Sequence, residues 1–288
     1  LYTAQGNLLR QLLPWRQPAQ DPDHIVTLVE ETTSKGHQVL VFCHYRKHCE
    51  NCAVLLAEQL GKLPAAVVIG GGGGAAGAGK VKESDYVASK RQALLDTLRE
   101  KSPTIHPCLL LAIPKGIGFH HAGLADYEKD ALEEAFRQGV LSVIVATSSL
   151  GTGINLPAAR VIFRSVRPGA NREFEVSSYR QMAGRAGRAG KSTYGESILL
   201  LKQSKDVNEA LRLMTEPLPR LRSCLDPERD GGRALVRAIL EAIASGALRQ
   251  LGDLDTFLHC MLAVRQRSQN AAGLQAFLSH ARSALCYL

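Results

Sequence analysis

Gln181-Met182-Ala183-Gly184-Arg185-Ala186-Gly187-Arg188-Ala189-Gly190 decides how this 288-residue chain is read. Arg185 and Arg188 stand three apart, so on a helical turn both project from one face. Alanine and glycine alone separate them, and such small side chains let a second surface approach the backbone. Two guanidinium groups so placed suit a reach across a cleft to a polyphosphate, where they stabilise charge developing in phosphoryl transfer. The bland alternative is a solvated helix that happens to carry two arginines. It leaves Gly184, Gly187 and Gly190 unexplained, since each glycine weakens a helix by about 1 kcal/mol.

Upstream lies Ala146-Thr147-Ser148-Ser149-Leu150-Gly151-Thr152-Gly153-Ile154-Asn155-Leu156-Pro157. Hydroxyls at Thr147, Ser148, Ser149 and Thr152, with backbone amides around Gly151 and Gly153, can hold phosphate oxygens without reading bases. Lys and Arg total 35 against 27 Asp and Glu, a net charge of +8, which favours an anionic partner, nucleic acid first. No segment approaches the roughly 18–20 apolar residues that cross a bilayer, so no membrane partner is expected. The start carries no basic-then-apolar leader. The 7 cysteines lack framework spacing, which fits reduced intracellular thiols. A first residue that is leucine points to a piece of a longer protein.

Along the chain, residues 1–20 are an indistinct lead-in with Pro14, Trp15 and Pro18. Asp21-Pro22-Asp23 opens a helix over His24–Glu31, with acidic residues in its first turn. Gln38–Cys43 has the apolar, β-branched content of a buried strand, and a helix follows over Cys49–Leu60. Ala65–Ile69 reads as a strand, Ser89–Lys101 as a helix, and Ala125–Gln138 as a helix closed by Gly139. Leu141–Ala146, Arg160–Arg164 and Ser197–Leu201 read as further strands. This alternation predicts an α/β fold: a parallel sheet with helices on both faces, its ligands beyond the carboxyl ends of the strands. After Lys202 the pattern turns helical, over Val207–Met214, Gly232–Ser245 and Leu254–Arg265, with room for one short strand at Gly246–Gln250. A boundary is therefore expected near 202, with a small helical module over 202–288.

The two opening strings resemble the last two motifs of the superfamily 2 helicases, and Gln181–Gly190 has the form found in their Ski2-like group. Asp21-Pro22-Asp23-His24, Gly118–Leu124, Asn155-Leu156-Pro157-Ala158 and Gly195–Leu199 extend the likeness, within that group toward its DNA-repair helicases. The resemblance implies that 21–201 is the second of two RecA-like domains and that 202–288 is winged-helix-like. It assigns Arg185 and Arg188, with Gln181, to the terminal phosphates of ATP, one arginine acting as finger. Gly153, Asn155 and Gly184 fall on the nucleotide side. Thr147, Ser148, Thr152 and Arg46 fall on the nucleic-acid strand, and the loop holding His120 and His121 near its backbone. In Phe42-Cys43-His44-Tyr45-Arg46, the intervening His44-Tyr45 departs from the family's usual serine.

Two patterns resemble other sites. Gly74–Lys80 satisfies most of a phosphate loop, but Val81 replaces the Ser or Thr that holds magnesium. Gly70–Gly79 is all glycine and alanine, so 70–80 reads as a low-complexity, disordered insertion. Cys49-x-x-Cys52 has no partner pair downstream, and adjacent His120 and His121 point apart, so no metal is expected. No Asp-Glu dipeptide and no credible lysine-bearing phosphate loop occur. The resemblance therefore implies that ATP and Mg2+ are held mainly by a preceding RecA-like domain, the chain's partner along with DNA, and that this chain alone does not hydrolyse ATP. It implies a 3′ to 5′ DNA helicase of nuclear repair. A non-catalytic nucleic-acid-binding scaffold, or an RNA helicase of the same group, are the alternatives.

Overall fold

A computed structural model of the chain describes residues 20–21, 23–65, 83–101, 105–151, 156–167, 174–187, 195–204, 206–268 and 270–287. The chain divides into two compact units, Leu1–Leu218 and Pro219–Leu288. The first runs α1 (Ile25–Thr33), β1 (Val39–Phe42), α2 (Arg46–Gln59), α3 (Glu83–Lys101), α4 (Pro107–Ala112), β2 (Ile117–His120), α5 (Asp126–Arg137), β3 (Val143–Ala146), β4 (Arg160–Phe163), α6 (Val176–Ala183), β5 (Glu196–Leu199) and α7 (Asp206–Thr215). The strands form one all-parallel sheet in the order β2-β3-β1-β4-β5. The chain moves from β1 out to β2 and then back to β3, so right-handed crossovers place α2 and α5 on opposite faces. Every residue of β1 to β4 is buried, as unbroken runs such as Val39–Phe42 require of strands covered on both sides.

Local chemistry sets the helix ends. The Asp21 carboxylate accepts the Val26 and Thr27 amides, each at 2.9 Å, and so caps α1. Glu128 accepts the Ala125 amide at 2.9 Å at the start of α5, and Gly139 (φ 74°) supplies the left-handed residue beyond its end. Cys49 and Cys52 of α2 bury against Cys43, and contact with Cys49 and burial push the Cys43 thiol up to about 12.

The structure corrects several sequence expectations. Gly118–Leu124 begins as edge strand β2 and becomes loop only from His121; four residues with a glycine and a histidine carry too little apolar signal to read as a strand. Helix α4 likewise escaped notice. The strand expected at Ala65–Ile69 and the insertion at 70–80 lie, apart from Ala65, outside the described residues. Helix α7 buries Ala210 and Leu213 in the core of the first unit, which as a compact body extends to Leu218.

The second unit holds α8 (Pro227–Asp230), α9 (Arg233–Ala244), α10 (Leu251–His259), α11 (Leu262–Arg267) and α12 (Ala271–Tyr287) around its own core of Leu235, Ile239, Leu258, Val264 and Phe277. The single helix expected at Leu254–Arg265 is two, broken where Met261 turns extended (ψ 140°). Gly246–Gln250 is a turn, not a strand: the Arg249 and Gln250 amides both donate to Asp253 and cap α10. Among the described residues, no helix is long and apolar enough to cross a membrane.

Arg160 is a buried cation at the head of β4, 2 % exposed. It donates to Glu196 of β5 at 2.7 Å, to Glu31 of α1 at 3.1 Å and to the Leu28 carbonyl at 2.8 Å. Arg160→Ala removes all three contacts and should lower unfolding stability by about 1–3 kcal/mol, read from denaturant midpoints. His44, His120 and His121 are each held below the usual imidazole range, chiefly by burial. The unfolded chain therefore takes up their protons first, and stability falls as pH drops below about 6.5, being complete above it. The denaturation midpoint should drop between about pH 7.5 and about pH 5.5, and His120→Asn should shrink that drop.

Candidate nucleotide and nucleic-acid surfaces

The carboxyl ends of β2, β3 and β1 lie side by side, and they gather one group of the residues singled out in the sequence. The Thr147 amide donates to the His120 carbonyl at 3.2 Å, and the Cys43 amide to the Ala146 carbonyl at 2.8 Å. Thr147 is itself largely covered, while Ser148 is exposed. His44 is turned inward: its Nε2 meets the Ser165 carbonyl at 2.9 Å and its ring stands edge-on to Phe174. The departure from the family pattern is thus a tether between the ends of β1 and β4. It leaves Tyr45, Arg46, Lys47 and His48 exposed at the start of α2, with the Arg46 stem beside Gly123.

His120 and His121 are not surface groups. His120 is 2 % exposed and its Nε2 pairs with Glu133 of α5 at 2.9 Å. His121 is 3 % exposed, stacks on Phe119, accepts the Gly123 amide and faces Glu50 at 3.4 Å. Of the loop expected near the nucleic-acid backbone, the two histidine side chains are therefore not exposed; they face inward and the loop His121–Gly123 stands beside Arg46.

The second group lies at the other end of the sheet. Helix α6 stops at Ala183 and Gly184 is its C-cap, so Arg185 lies beyond the helix and not on a helical turn. The Arg185 carbonyl accepts the Ala158 amide at 3.0 Å, and the Gly187 amide donates back to the Ala158 carbonyl at 2.8 Å. Ala158 leads into β4, and the neighbouring Ala159 amide bonds to Gln38 just before β1, so this bridge sits at the amino ends of the strands. Glycine is required twice here. Gly187 holds φ 77°, and a Cβ on Gly195 would stand 2.7 Å from the Ala186 carbonyl oxygen. Ala158 and Gly195 belong to strings that carry the resemblance, but their backbone roles have no sequence signal of their own.

Gln181 and Gly184 are exposed beside Arg185, which is partly buried and whose guanidinium burial holds below its ordinary value. The turn Ser148–Gly151 packs against α6. The segment that leaves β3 at Thr147 therefore starts at the carboxyl ends of the strands and finishes at Ala158, hydrogen-bonded to the arginine stretch. Thr152, Gly153, Asn155 and Arg188 lie outside the described residues. Amide and guanidinium donors at Gln181 and Arg185 suit phosphate oxygens.

Comparison with known proteins agrees with this arrangement. The helicase conserved C-terminal domain matches residues 86–190, and a helix-turn-helix domain matches 195–285. The chain is 35 % identical to DNA polymerase theta of Mus musculus over 96 % of its own length and 10 % of that protein. It is 38 % identical to the helicase POLQ-like of Homo sapiens, covering 72 % of this chain and 17 % of that protein. With the ATP-dependent DNA helicase Hel308 of Methanocella arvoryzae it shares 32 % identity over 85 % of the chain and 31 % of the relative. The chain thus spans under a third of each of these relatives. It is a helicase-family C-terminal domain of RecA-like fold followed by a helical helix-turn-helix domain, homologous to DNA polymerase theta, the POLQ-like helicases and Hel308.

Proposed function

We propose that this chain is the second motor half of an ATP-dependent DNA helicase that acts with 3′ to 5′ polarity in nuclear DNA repair. The observation that carries the proposal is the pair of hydrogen bonds joining Ala158 to Arg185 and Gly187, which ties the end of the link that follows Thr147 to the arginine stretch. A preceding RecA-like domain holds ATP and Mg2+, and the bound triphosphate supplies the phosphoryl-transfer chemistry. From this side Gln181, Arg185 and Arg188 meet the terminal phosphates, with Gly153, Asn155 and Gly184 lining the nucleotide. Thr147, Ser148, Thr152 and Arg46 grip the strand by its phosphates, so the hold is sequence-tolerant and weakens with salt. Loss of a phosphate releases the arginines, and the segment 147–158 passes that movement to the strand.

In the complete motor, Arg188→Ala should cut DNA-stimulated ATP turnover by about 10³-fold or more while strand affinity stays near wild type. Parallel loss of both would refute the division of roles. Arg46→Ala should instead weaken single-strand binding and lower the slope of log affinity against log salt by about 0.7, the loss of one phosphate contact. An unchanged slope in a salt titration would remove Arg46 from the interface.

A further inference from the structure

On the flank of the first unit, α2, α4 and the end of β2 bring together Glu50, His106, Cys108 and His121, which come from three separate stretches of sequence. Donor atoms of Glu50, His106 and Cys108 all lie within 4.8 Å of one another. Glu50 Oε1 stands 3.6 Å from His106 Nε2 and 3.4 Å from His121 Nε2. These distances are long for hydrogen bonds. They match the edges of a zinc tetrahedron, in which ligand atoms bound at about 2.0–2.3 Å are separated by roughly 3.3–3.8 Å. His121 Nε2 is buried and has no hydrogen-bond partner. Both imidazole rings are aimed by Phe119, which meets His106 edge-on at 5.2 Å and stacks with His121 at 5.3 Å.

We propose that Glu50, His106 and Cys108 bind a divalent zinc-like cation, with His121 closing in as the fourth ligand. Imidazole, thiolate and one carboxylate are a donor set that selects zinc over magnesium or calcium. His106 and Cys108 are only half covered, so the ion has a path in from solvent. Each histidine accepts a backbone amide at Nδ1, from Cys108 at 3.3 Å and from Gly123 at 3.1 Å. Loading moves each ring's proton from Nε2 to Nδ1, gives up those two long contacts and releases the Cys108 thiol proton, so affinity falls as pH is lowered. Lys47, whose ammonium meets Glu50 Oε2 at 2.9 Å, is mostly exposed and swings clear of the ion. The bound ion staples α2 and α4 to the loop that stands beside Arg46. The spacing of the chain conceals this site because no two of the stretches resemble a ligand motif.

The test is titration of the metal-stripped full chain with Zn2+ and with Co2+. One equivalent should bind, thermal stability should rise, and Co2+ should show a thiolate charge-transfer band in the near ultraviolet. Cys108→Ser should remove that band and His106→Gln should weaken binding by about tenfold or more, both variants keeping the wild-type circular dichroism. Cys224→Ser, at an exposed cysteine of the second unit, should leave the band intact. Absence of saturable binding, or binding and band indifferent to Cys108→Ser, overturns the site. Glu50 then simply receives two imidazole N–H groups, and the helicase reading stands untouched.

Discussion

The two hydrogen bonds between Ala158 and the Arg185–Gly187 segment are the constraint on which the rest of the first unit turns. A parallel sheet sends each connection from the carboxyl end of one strand to the amino end of another. The link from β3 to β4 meets that obligation: it leaves Thr147 at the carboxyl ends of the strands and arrives at Ala158 at their amino ends. Leu150, Leu156 and Ala158 are each no more than 2 % exposed, so the described parts of the link are held in the core. A backbone-to-backbone joint transmits a displacement without depending on side-chain rotamers, and the tight approach of Gly195 to Ala186 leaves little room for slack.

Polar groups at the strand ends serve the same purpose in a different way. His44, His120 and His121 are all turned inward and matched with Ser165, Glu133 and Glu50, respectively. Burying imidazoles costs desolvation, seen in the downward displacement of all three. In exchange the loops they anchor hold Arg46 and Ser148 outward on a rigid edge. Arg160 does the corresponding work at the amino ends, tying β4 to β5 and α1.

Much of this was legible in the sequence. Val39–Phe42, Val143–Ala146 and Arg160–Phe163 fall inside the strands read from apolar runs, because burial on both faces leaves an unmistakable signature. The arginine stretch stands out in the sequence through its glycines, but α6 stops before Arg185, so the helical spacing read there does not hold. Strand β2 was missed because its neighbours, not its own composition, make it a strand. The inward turn of His120 and His121 depends on Glu133 and Glu50, which come from α5 and α2 and so cannot be anticipated from the pair itself. The break at Met261 and the division after Leu218 are likewise outcomes of packing in two separate cores.

The central claim is that the Ala158–Arg185 joint couples nucleotide state to strand grip. The most direct measurement is single-strand affinity of the complete motor with ADP and with a non-hydrolysable ATP analogue, in wild type and in Gly195→Ala. Gly195 belongs to neither proposed ligand surface, but a methyl there collides with the Ala186 backbone. The account predicts a difference of about 5–150-fold between nucleotide states in wild type, and its collapse in the variant while each ligand alone still binds. A variant that retains the full difference would contradict it.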